Sequence, residues 1–240
     1  MRHNFMMGSR DHATELVEGY ISEHKLAAGD RLPSERDMCE MWGLNRTTLR
    51  NAIKRLISTG TLCSKVGSGT YVAPQKLVRD LHDTKGFSEV ARAAGFNPTT
   101  EVLSFEMREA DKTSTRKLHI PLGSKVYVLR RVRNLDGVPA MIETTQLNAA
   151  LFPGLDRYDF SNDSLFRVMR EEYGVDPVEG DEKLSVTRLD ELEADALGFP
   201  AGNPAFFQMG VMVDSEGVPL EYFKGVVLSE RVRIACELMN

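Results

Sequence analysis

The sequence is poor in the residues that cross-link chains or bind metals. Its 240 residues include three cysteines, Cys39, Cys63 and Cys236, which lie far apart and form no CxxC pair. An odd number of unpaired cysteines is typical of a reducing compartment, where cysteine mostly serves as a small buried hydrophobe. The five histidines have no metal-ligand spacing. The sequence therefore predicts neither a metal site nor a cofactor.

Long apolar segments are also missing. Nowhere does the chain approach the roughly 18 consecutive apolar residues of a transmembrane helix. The N-terminal sequence MRHNFMMGSR has no apolar run of the length found in signal peptides. We therefore expect a cytoplasmic protein with no membrane partner.

A uniformly basic surface is excluded by the net charge of −5. Residues 1–75 hold 10 Lys and Arg against 8 Asp and Glu, whereas residues 76–240 hold 20 against 27. Within residues 31–65, seven cations stand against three anions. Attraction to a polyanion is therefore local to this segment and should depend strongly on salt. The length of the chain suggests two domains.

The basic segment has the pattern of two short helices joined by a tight turn. Ser34 follows Pro33 and precedes Asp37 by three residues, which is the pattern of a capped helix start. Gly43 would end this helix, and Asn45 can cap the next one. The second helix has one apolar stripe, formed by Leu49, Ala52, Ile53, Leu56 and Ile57. The order of elements predicts a helix-turn-helix.

The other face of the second helix suits the major groove of DNA. It carries Arg46, Thr47, Arg50 and Lys54, and arginine can donate two hydrogen bonds to O6 and N7 of guanine. Two short strands, 61–66 and 70–72, follow around a glycine turn and predict a wing. A basic helix face is usually only a solvated surface. Here the cap, turn, basic face and wing occur in order, which favours DNA binding.

The remaining sequence predicts an α+β fold. A helix is expected at 11–24, and the polar segment 74–86 is expected to link two domains, 1–73 and 87–240. Further helices are predicted at 88–94, 110–118 and 161–173, and one more is capped by Asp190 and ended by Gly198. Strands are predicted at 101–109, 125–134, 140–147, 182–189, 205–213, 219–228 and 231–238. Their hairpins, one of them at Asp136-Gly137, imply an antiparallel sheet with helices on one side.

The first domain resembles the winged helix-turn-helix of the GntR family of bacterial transcription regulators. The similarity extends over residues 11–73 and lies in LPSERDMCEMWGLNRTTLRNAIKRLISTGTL followed by GSGTYV. It implies contacts with double-stranded DNA from Arg36, Asn45, Arg46, Thr47, Thr48, Arg50, Gly67 and Gly69. Asn45 stands where the family often has Ser or Thr, and it could reach a base edge as well as cap the helix.

The second domain resembles the UTRA effector-binding domain of the HutC branch of that family, whose fold is similar to that of chorismate lyase. The similarity lies in GFSEVARAAG, LRRVRNLDGVPAMIETTQLNAALFPGL and DSEGVPLEYF. It implies an effector site formed by Phe87, Ser88, Arg131, Arg133, Glu143 and Tyr222. Near the C-terminus, EYFKGVVLSERVRIACEL has valines where the family has tyrosines. The effector class therefore stays open among sugar phosphates, phosphonates, amino-acid catabolites and fatty acids.

Elementary geometry supports an anion site in this domain. Arg131 and Arg133 are two apart on one strand, so both side chains leave the same face and can converge on one anion. A helix that opens at Ser88 presents unpaired N–H groups to the same charge, and Glu143 on the facing strand could accept from effector hydroxyls. In the alternative interpretation, Arg131 and Glu143 form an ordinary cross-strand ion pair.

We therefore expect a homodimeric regulator, a repressor, which reads a pseudo-palindromic operator and responds to a small anionic metabolite. One alternative is a lyase similar to chorismate lyase. The sequence has no paired carboxylates, Ser-His-Asp order or metal cluster that could carry such chemistry, so we predict no catalytic residues. A second alternative is an architectural DNA-binding protein, which would not need a domain with converging arginines.

Overall fold

The computed structural model describes residues 9–65, 67–80 and 85–235. The chain forms two compact units, Met1–Lys76 and Leu77–Asn240. Val66, His82 and Cys236 lie outside the described residues, as do most of the N-terminal tail and the end of the strand predicted at 231–238. The elements of the first unit are helices α1 (Ser9–Glu23), α2 (Glu35–Trp42) and α3 (Arg46–Ser58) and strands β1 (Leu62–Lys65) and β2 (Gly69–Val72).

The second unit is larger and mixes helices with long strands, which confirms the predicted α+β class. Its strands are β3 (Leu77–Asp80), β4 (Pro98–Glu109), β5 (Lys125–Leu135), β6 (Val138–Asn148), β7 (Glu179–Arg188), β8 (Pro204–Val213), β9 (Pro219–Leu228) and β10 (Val232–Ala235). Its helices are α4 (Phe87–Ala93), α5 (Lys112–Lys117), α6 (Leu165–Tyr173) and α7 (Glu191–Leu197), with a 3₁₀ turn at Leu155–Arg157.

The first unit is the predicted winged helix-turn-helix. The Ser34 hydroxyl accepts from the backbone N–H of Asp37 and caps α2, and the side chain of Asn45 accepts from the N–H of Thr48 and caps α3. Strands β1 and β2 pair antiparallel as the wing. The core is formed by Val17, Leu32, Met38, Leu49, Ile53, Leu56 and Leu62. Ile57, expected at the end of the apolar stripe, is 36% exposed instead because the stripe turns away from the core there.

Six strands of the second unit form one antiparallel sheet in the order β4-β5-β6-β9-β8-β7. The D-G turn between β5 and β6 is confirmed, and both Asp136 and Gly137 have a positive φ, which two-residue hairpin turns of this type require. Beyond this turn, a β-bulge at Ala140 shifts the pairing of β5 and β6 by one residue, so that Arg131 lies directly opposite Glu143. The two arginines and the glutamate therefore share one face of the sheet.

Helices cover both faces of this sheet, so the prediction of helices on one side is wrong. On one face, Leu165, Val168 and Met169 of α6 pack against Tyr127 and Leu129 of β5. On the other face, α7 packs in the cluster that contains Val132 and Ile142. Strand β5 is largely buried on both faces, and such a strand needs cover on each.

The segment expected to be an interdomain linker contains a strand. Strand β3 lies within residues 74–86 and pairs in parallel with β10, with Leu77 opposite Val232. Both side chains are buried in one apolar cluster. The last strand therefore leaves the antiparallel sheet, and the two strands form a separate two-stranded sheet. Residues 81–84 lie outside the described part of the chain.

Candidate functional site

The recognition helix exposes the residues that the sequence assigned to DNA. Asn45, Arg46, Thr47 and Arg50 are exposed, and Thr48 is half-buried. They lie around the N-terminal half of α3, because Leu49 and Ile53 turn the opposite face of the helix into the core. Residues at this end of a recognition helix reach base edges in the major groove.

Two ion pairs organise the arginines of the motif. Arg36 lies on α2 and contacts Glu40 at 3.0 Å in an i,i+4 pair. Arg50 lies on α3, and its Nε contacts Oε2 of Glu35, on α2, at 2.7 Å. Arg46 has no ion pair within the described ranges. Thus, of the two arginines in the N-terminal half of α3, Arg50 is tethered to the neighbouring helix.

The wing carries two cations that the sequence analysis did not single out. The guanidinium of Arg31 lies against Gly69, whose φ is 129°; a Cβ at position 69 would lie 3.0 Å from Nε of Arg31. The ammonium of Lys65 lies 4.6 Å from the ring centre of Tyr71. Gly67 is exposed at the turn. The local positive charge was the only signal in the sequence that pointed to Arg31 and Lys65.

The second unit contains a cavity of about 290 Å³ on one face of the sheet. Of the predicted effector residues, Phe87, Arg131, Arg133 and Glu143 line it. Ser88 reaches it through Arg133, whose Nη2 donates to the Ser88 hydroxyl at 2.6 Å. The structure therefore brings five of the six predicted residues together.

Tyr222 does not belong to this site, and the structure corrects that expectation. Its side chain packs with Leu118, Val126 and Val128 on the opposite face of the sheet. Neighbouring side chains of a strand point to opposite faces, so Glu221 and Phe223 line the cavity instead. The alternation of β9 separates Tyr222 from Glu221, and the pairing of Glu221 with Leu147 decides which of the two faces the cavity.

A buried network of charges forms the wall of the cavity. Nη2 of Arg131 lies 2.7 Å from Oε1 of Glu143, and Nη1 of Arg133 lies 3.5 Å from the same oxygen. The guanidinium of Arg133 also lies 4.8 Å from the ring centre of Phe87. The geometry of a cross-strand ion pair is therefore present, as the alternative interpretation had it. A second arginine shares the carboxylate, however, and both arginines are buried, at 4% and 5% exposure.

Several donors of these arginines lack a partner. Among the described residues, Nε and Nη1 of Arg131 and Nε of Arg133 are buried without a hydrogen bond. Buried donors are normally paired, because leaving one unpaired costs free energy. Three unpaired donor nitrogens on two adjacent guanidinium groups fit an anion with several oxygens.

The charges of the wall depend on one another. Burial, and then the charge of Arg131, lower the pKa of Arg133 to about 10. Burial alone would raise the pKa of Glu143, but Arg131 and Arg133 reverse this effect and lower it. Arg133 and Glu143 are therefore both charged at neutral pH.

The cavity also contains groups that sequence reasoning missed. Arg79 on β3 donates to the side chain of Gln208 and contacts Glu182 at 2.9 Å. Glu221 accepts a hydrogen bond from Thr145 at 2.8 Å. Burial, and then the charge of Glu143, raise the pKa of Glu221 to about 7. Arg79 was missed because it lies in the segment expected to be a linker.

Together, these features define a class of protein: a regulator with a DNA-reading head and a separate domain that holds a charged ligand cavity. Residues 10–72 match the family described as bacterial regulatory proteins, gntR family, and residues 93–233 match the UTRA domain. The chain belongs to the GntR family, and its UTRA domain is consistent with the HutC branch.

Similar proteins that are named as transcription regulators support this assignment. The chain is 32% identical to the HTH-type transcriptional regulator YurK of Bacillus subtilis strain 168 over 176 residues, 73% of each sequence. It is 26% identical to the HTH-type transcriptional repressor NagR of the same organism over 222 residues, 90% of this chain and 89% of NagR. The crystal structure of PhnF from Mycobacterium smegmatis has a TM-score of 0.75 at 26% identity, with 97% of this chain and 99% of PhnF covered.

The matched families and these relatives are transcription regulators. The chain is therefore a DNA-binding transcription regulator with a domain for a small-molecule effector, and the lyase alternative is not supported. None of its described helices is both long and apolar enough to cross a membrane. The described residues also contain no group of His, Cys, Asp and Glu that could hold a metal ion.

Proposed function

We propose that this regulator is a cytoplasmic, homodimeric repressor that binds a pseudo-palindromic operator and is controlled by a small anionic metabolite. The observation that carries the proposal is the pair of buried arginines that line the cavity and together have three donor nitrogens without a hydrogen bond. The repressor assignment is supported by the similarity to NagR, which is named a repressor. A homodimer fits an operator with two related half-sites, because a two-fold protein reads a two-fold sequence.

The proposed DNA contacts come from three parts of the first unit: the recognition helix and its cap, the first helix of the motif, and the wing. Arg46 and Arg50 are proposed to read bases, because both are exposed on the N-terminal half of α3. The other contacts position the head on the phosphates and grooves. They are Arg36, Asn45, Thr47, Thr48, Gly67 and Gly69.

The proposed effector site uses the cavity wall described above. Arg131, Arg133 and Ser88 bind the anionic group, with Phe87 packed on Arg133. Glu143 accepts from hydroxyl groups of the effector. A cavity of about 290 Å³ suits a small metabolite. A sugar phosphate fits this chemistry, as does another small phosphorylated or carboxylated compound.

Strand β3 is the proposed route from the effector to the DNA-reading unit. It carries Arg79 into the cavity, where Glu182 and Gln208 hold the guanidinium. Its first residue, Leu77, follows directly on the first unit in the chain. An effector that displaces Arg79 would therefore change the segment that joins the two units.

The test is a thermal-shift screen of the wild type and Arg133→Ala against sugar phosphates, phosphonates, carboxylates and fatty acids. A ligand of the native state raises the melting temperature, by an amount set by its concentration relative to its dissociation constant. We expect at least one anion to stabilise the wild type, to lose this effect in Arg133→Ala and to change operator affinity of the wild type only. An anion that stabilises both proteins equally would place the effector elsewhere.

A further inference from the structure

We propose that Glu35 is a positioning residue for DNA reading: its carboxylate orients the guanidinium of Arg50 so that the two terminal nitrogens face a guanine in the major groove. The inference rests on the proposed role of Arg50 as a base-reading residue. It adds a residue that does not itself touch DNA but acts through one that does.

The geometry places Glu35 where it can hold Arg50. Glu35 is the first residue of α2, next to the cap Ser34, and Arg50 lies on α3, 15 positions further along the chain. Their side chains remain 38% and 59% exposed. An ion pair with this much exposure contributes little to folding stability. The ion pair therefore matters because it orients Arg50, and not because it adds to the free energy of unfolding.

The contact involves one edge of the guanidinium. Nε of Arg50 donates to Oε2 of Glu35, and Arg50 has no other protein partner within the described ranges. The guanidinium is a rigid planar fork of donors, so a fixed Nε also fixes the plane and direction of Nη1 and Nη2. O6 and N7 of guanine accept from such a fork. The ion pair thus presents Arg50 ready to bind.

Holding Arg50 in place before DNA binds should strengthen its contact with guanine. Immobilising a long side chain on binding costs roughly 0.5–1.5 kcal/mol, so an arginine that is already held should read its base about threefold to tenfold better than a free one. Arg46 has no such tether in the described part of the chain. Glu35 also repels phosphates, so its presence lowers affinity for any DNA. We therefore expect Glu35 to increase discrimination between base pairs and to decrease the affinity for DNA of any sequence.

The experiment uses the full chain and a duplex selected from a random library by the wild-type protein. Dissociation constants are measured by fluorescence anisotropy for this duplex and for duplexes in which each G·C pair is replaced in turn. Arg50→Ala first identifies the base pair at which discrimination depends on Arg50. We then expect Glu35→Ala to lose about threefold to tenfold of the discrimination at that same pair and to bind a random duplex at least as tightly as the wild type.

Asp37→Ala is the matched control. Asp37 also lies in the first turn of α2, so its removal deletes the same charge near the same helix end, but Asp37 does not hold Arg50. We expect Asp37→Ala to bind all duplexes more tightly by a similar factor and to keep the discrimination. Glu35→Gln, which keeps an acceptor for Nε, should restore part of it. In an Arg50→Ala background, Glu35→Ala should have no further effect on discrimination.

The outcomes separate this inference from the function on which it rests. If Arg50→Ala keeps discrimination at every base pair, Arg50 does not read bases and both proposals for it are overturned. If Arg50→Ala loses discrimination at one pair but Glu35→Ala keeps it, the positioning role alone is overturned. An equal loss in Glu35→Ala and Asp37→Ala would likewise overturn it, because the effect would then be one of helix charge.

Discussion

At the scale of single residues, the cavity combines charges that support one another with one carboxyl group that is poorly compensated. Arg131 and Arg133 lower the pKa of Glu143 against the effect of burial. Glu221 lies in the same cavity and accepts a hydrogen bond from Thr145. The charge of Glu143 adds to its burial, so its pKa is raised to about 7. A group of this kind is expected to cost stability when ionised.

Replacing Glu221 with Gln should therefore stabilise the protein at alkaline pH. The pKa of this carboxyl is about 7 in the folded chain, against an ordinary value of 4.5. The folded state thus holds the proton more tightly, and the free energy of unfolding falls as pH rises from about 4.5 through 7. The shift corresponds to about 3 kcal/mol. Urea denaturation of both proteins should show a gain for Glu221→Gln that is larger at pH 8 than at pH 5.

Glu179→Gln is the control for the loss of one negative charge, because Glu179 lies on an exposed part of the cavity rim. A gain in Glu221→Gln that is the same at both pH values would contradict the assignment of this proton to Glu221.

At the scale of elements, the sequence signals that begin and end helices position the DNA-reading surface. Asn45 caps α3 through a 2.8 Å hydrogen bond from the N–H of Thr48. Ser34 caps α2 in the same way, with a 3.2 Å bond from the N–H of Asp37. These caps fix where each helix begins, and therefore which residues of α3 lie at its N-terminal end. The ion pair between Glu35, at the start of α2, and Arg50, in the N-terminal half of α3, then connects the two helices.

Asn45→Ala should destabilise the recognition helix by about 1 kcal/mol, the usual value of an N-cap. Asn45→Ser should keep most of that stability, because a serine hydroxyl can accept from the same N–H. Urea denaturation measures both effects. If the Ala and Ser variants unfold at the same urea concentration, the cap does not stabilise α3. Operator affinity of the Ser variant then isolates any base contact made by the Asn45 amide.

At the scale of the whole molecule, the proposed control of DNA binding by an effector requires a coupling free energy between the two units. If an effector weakens operator binding by some factor, operator DNA must weaken effector binding by the same factor. Isothermal titration calorimetry measures the dissociation constant of the effector for the free protein and for the operator complex. We expect the ratio of these two constants to equal the ratio of the operator dissociation constants measured with and without effector. Unequal ratios would mean that a further species, such as a change of oligomeric state, takes part.

The sequence by itself determined the features that local signals encode. The caps at Ser34 and Asn45, the apolar stripe of α3 and the positive-φ turn at Asp136-Gly137 each depend on residues only a few positions apart. The same turn places Arg131 and Glu143, the centre of the proposed effector site, on adjacent strands, so their proximity was predictable; the one-residue shift at Ala140, which brings them directly opposite each other, was not. Resemblance to a known family supplied the roles of these residues, which no local pattern contains.

Only the tertiary structure decided what surrounds that centre. Arg79 reaches Glu182 and Gln208 across 103 and 129 positions of the chain, and β3 pairs with β10 from the far end of the sequence. The register between β6 and β9, with Glu221 opposite Leu147, then determines that Glu221 joins the cavity while Tyr222 faces the other side. Such contacts depend on how strands that are distant in the sequence align. Bringing these segments together costs conformational entropy, and the packing of the whole core offsets this cost, which no local pattern can do.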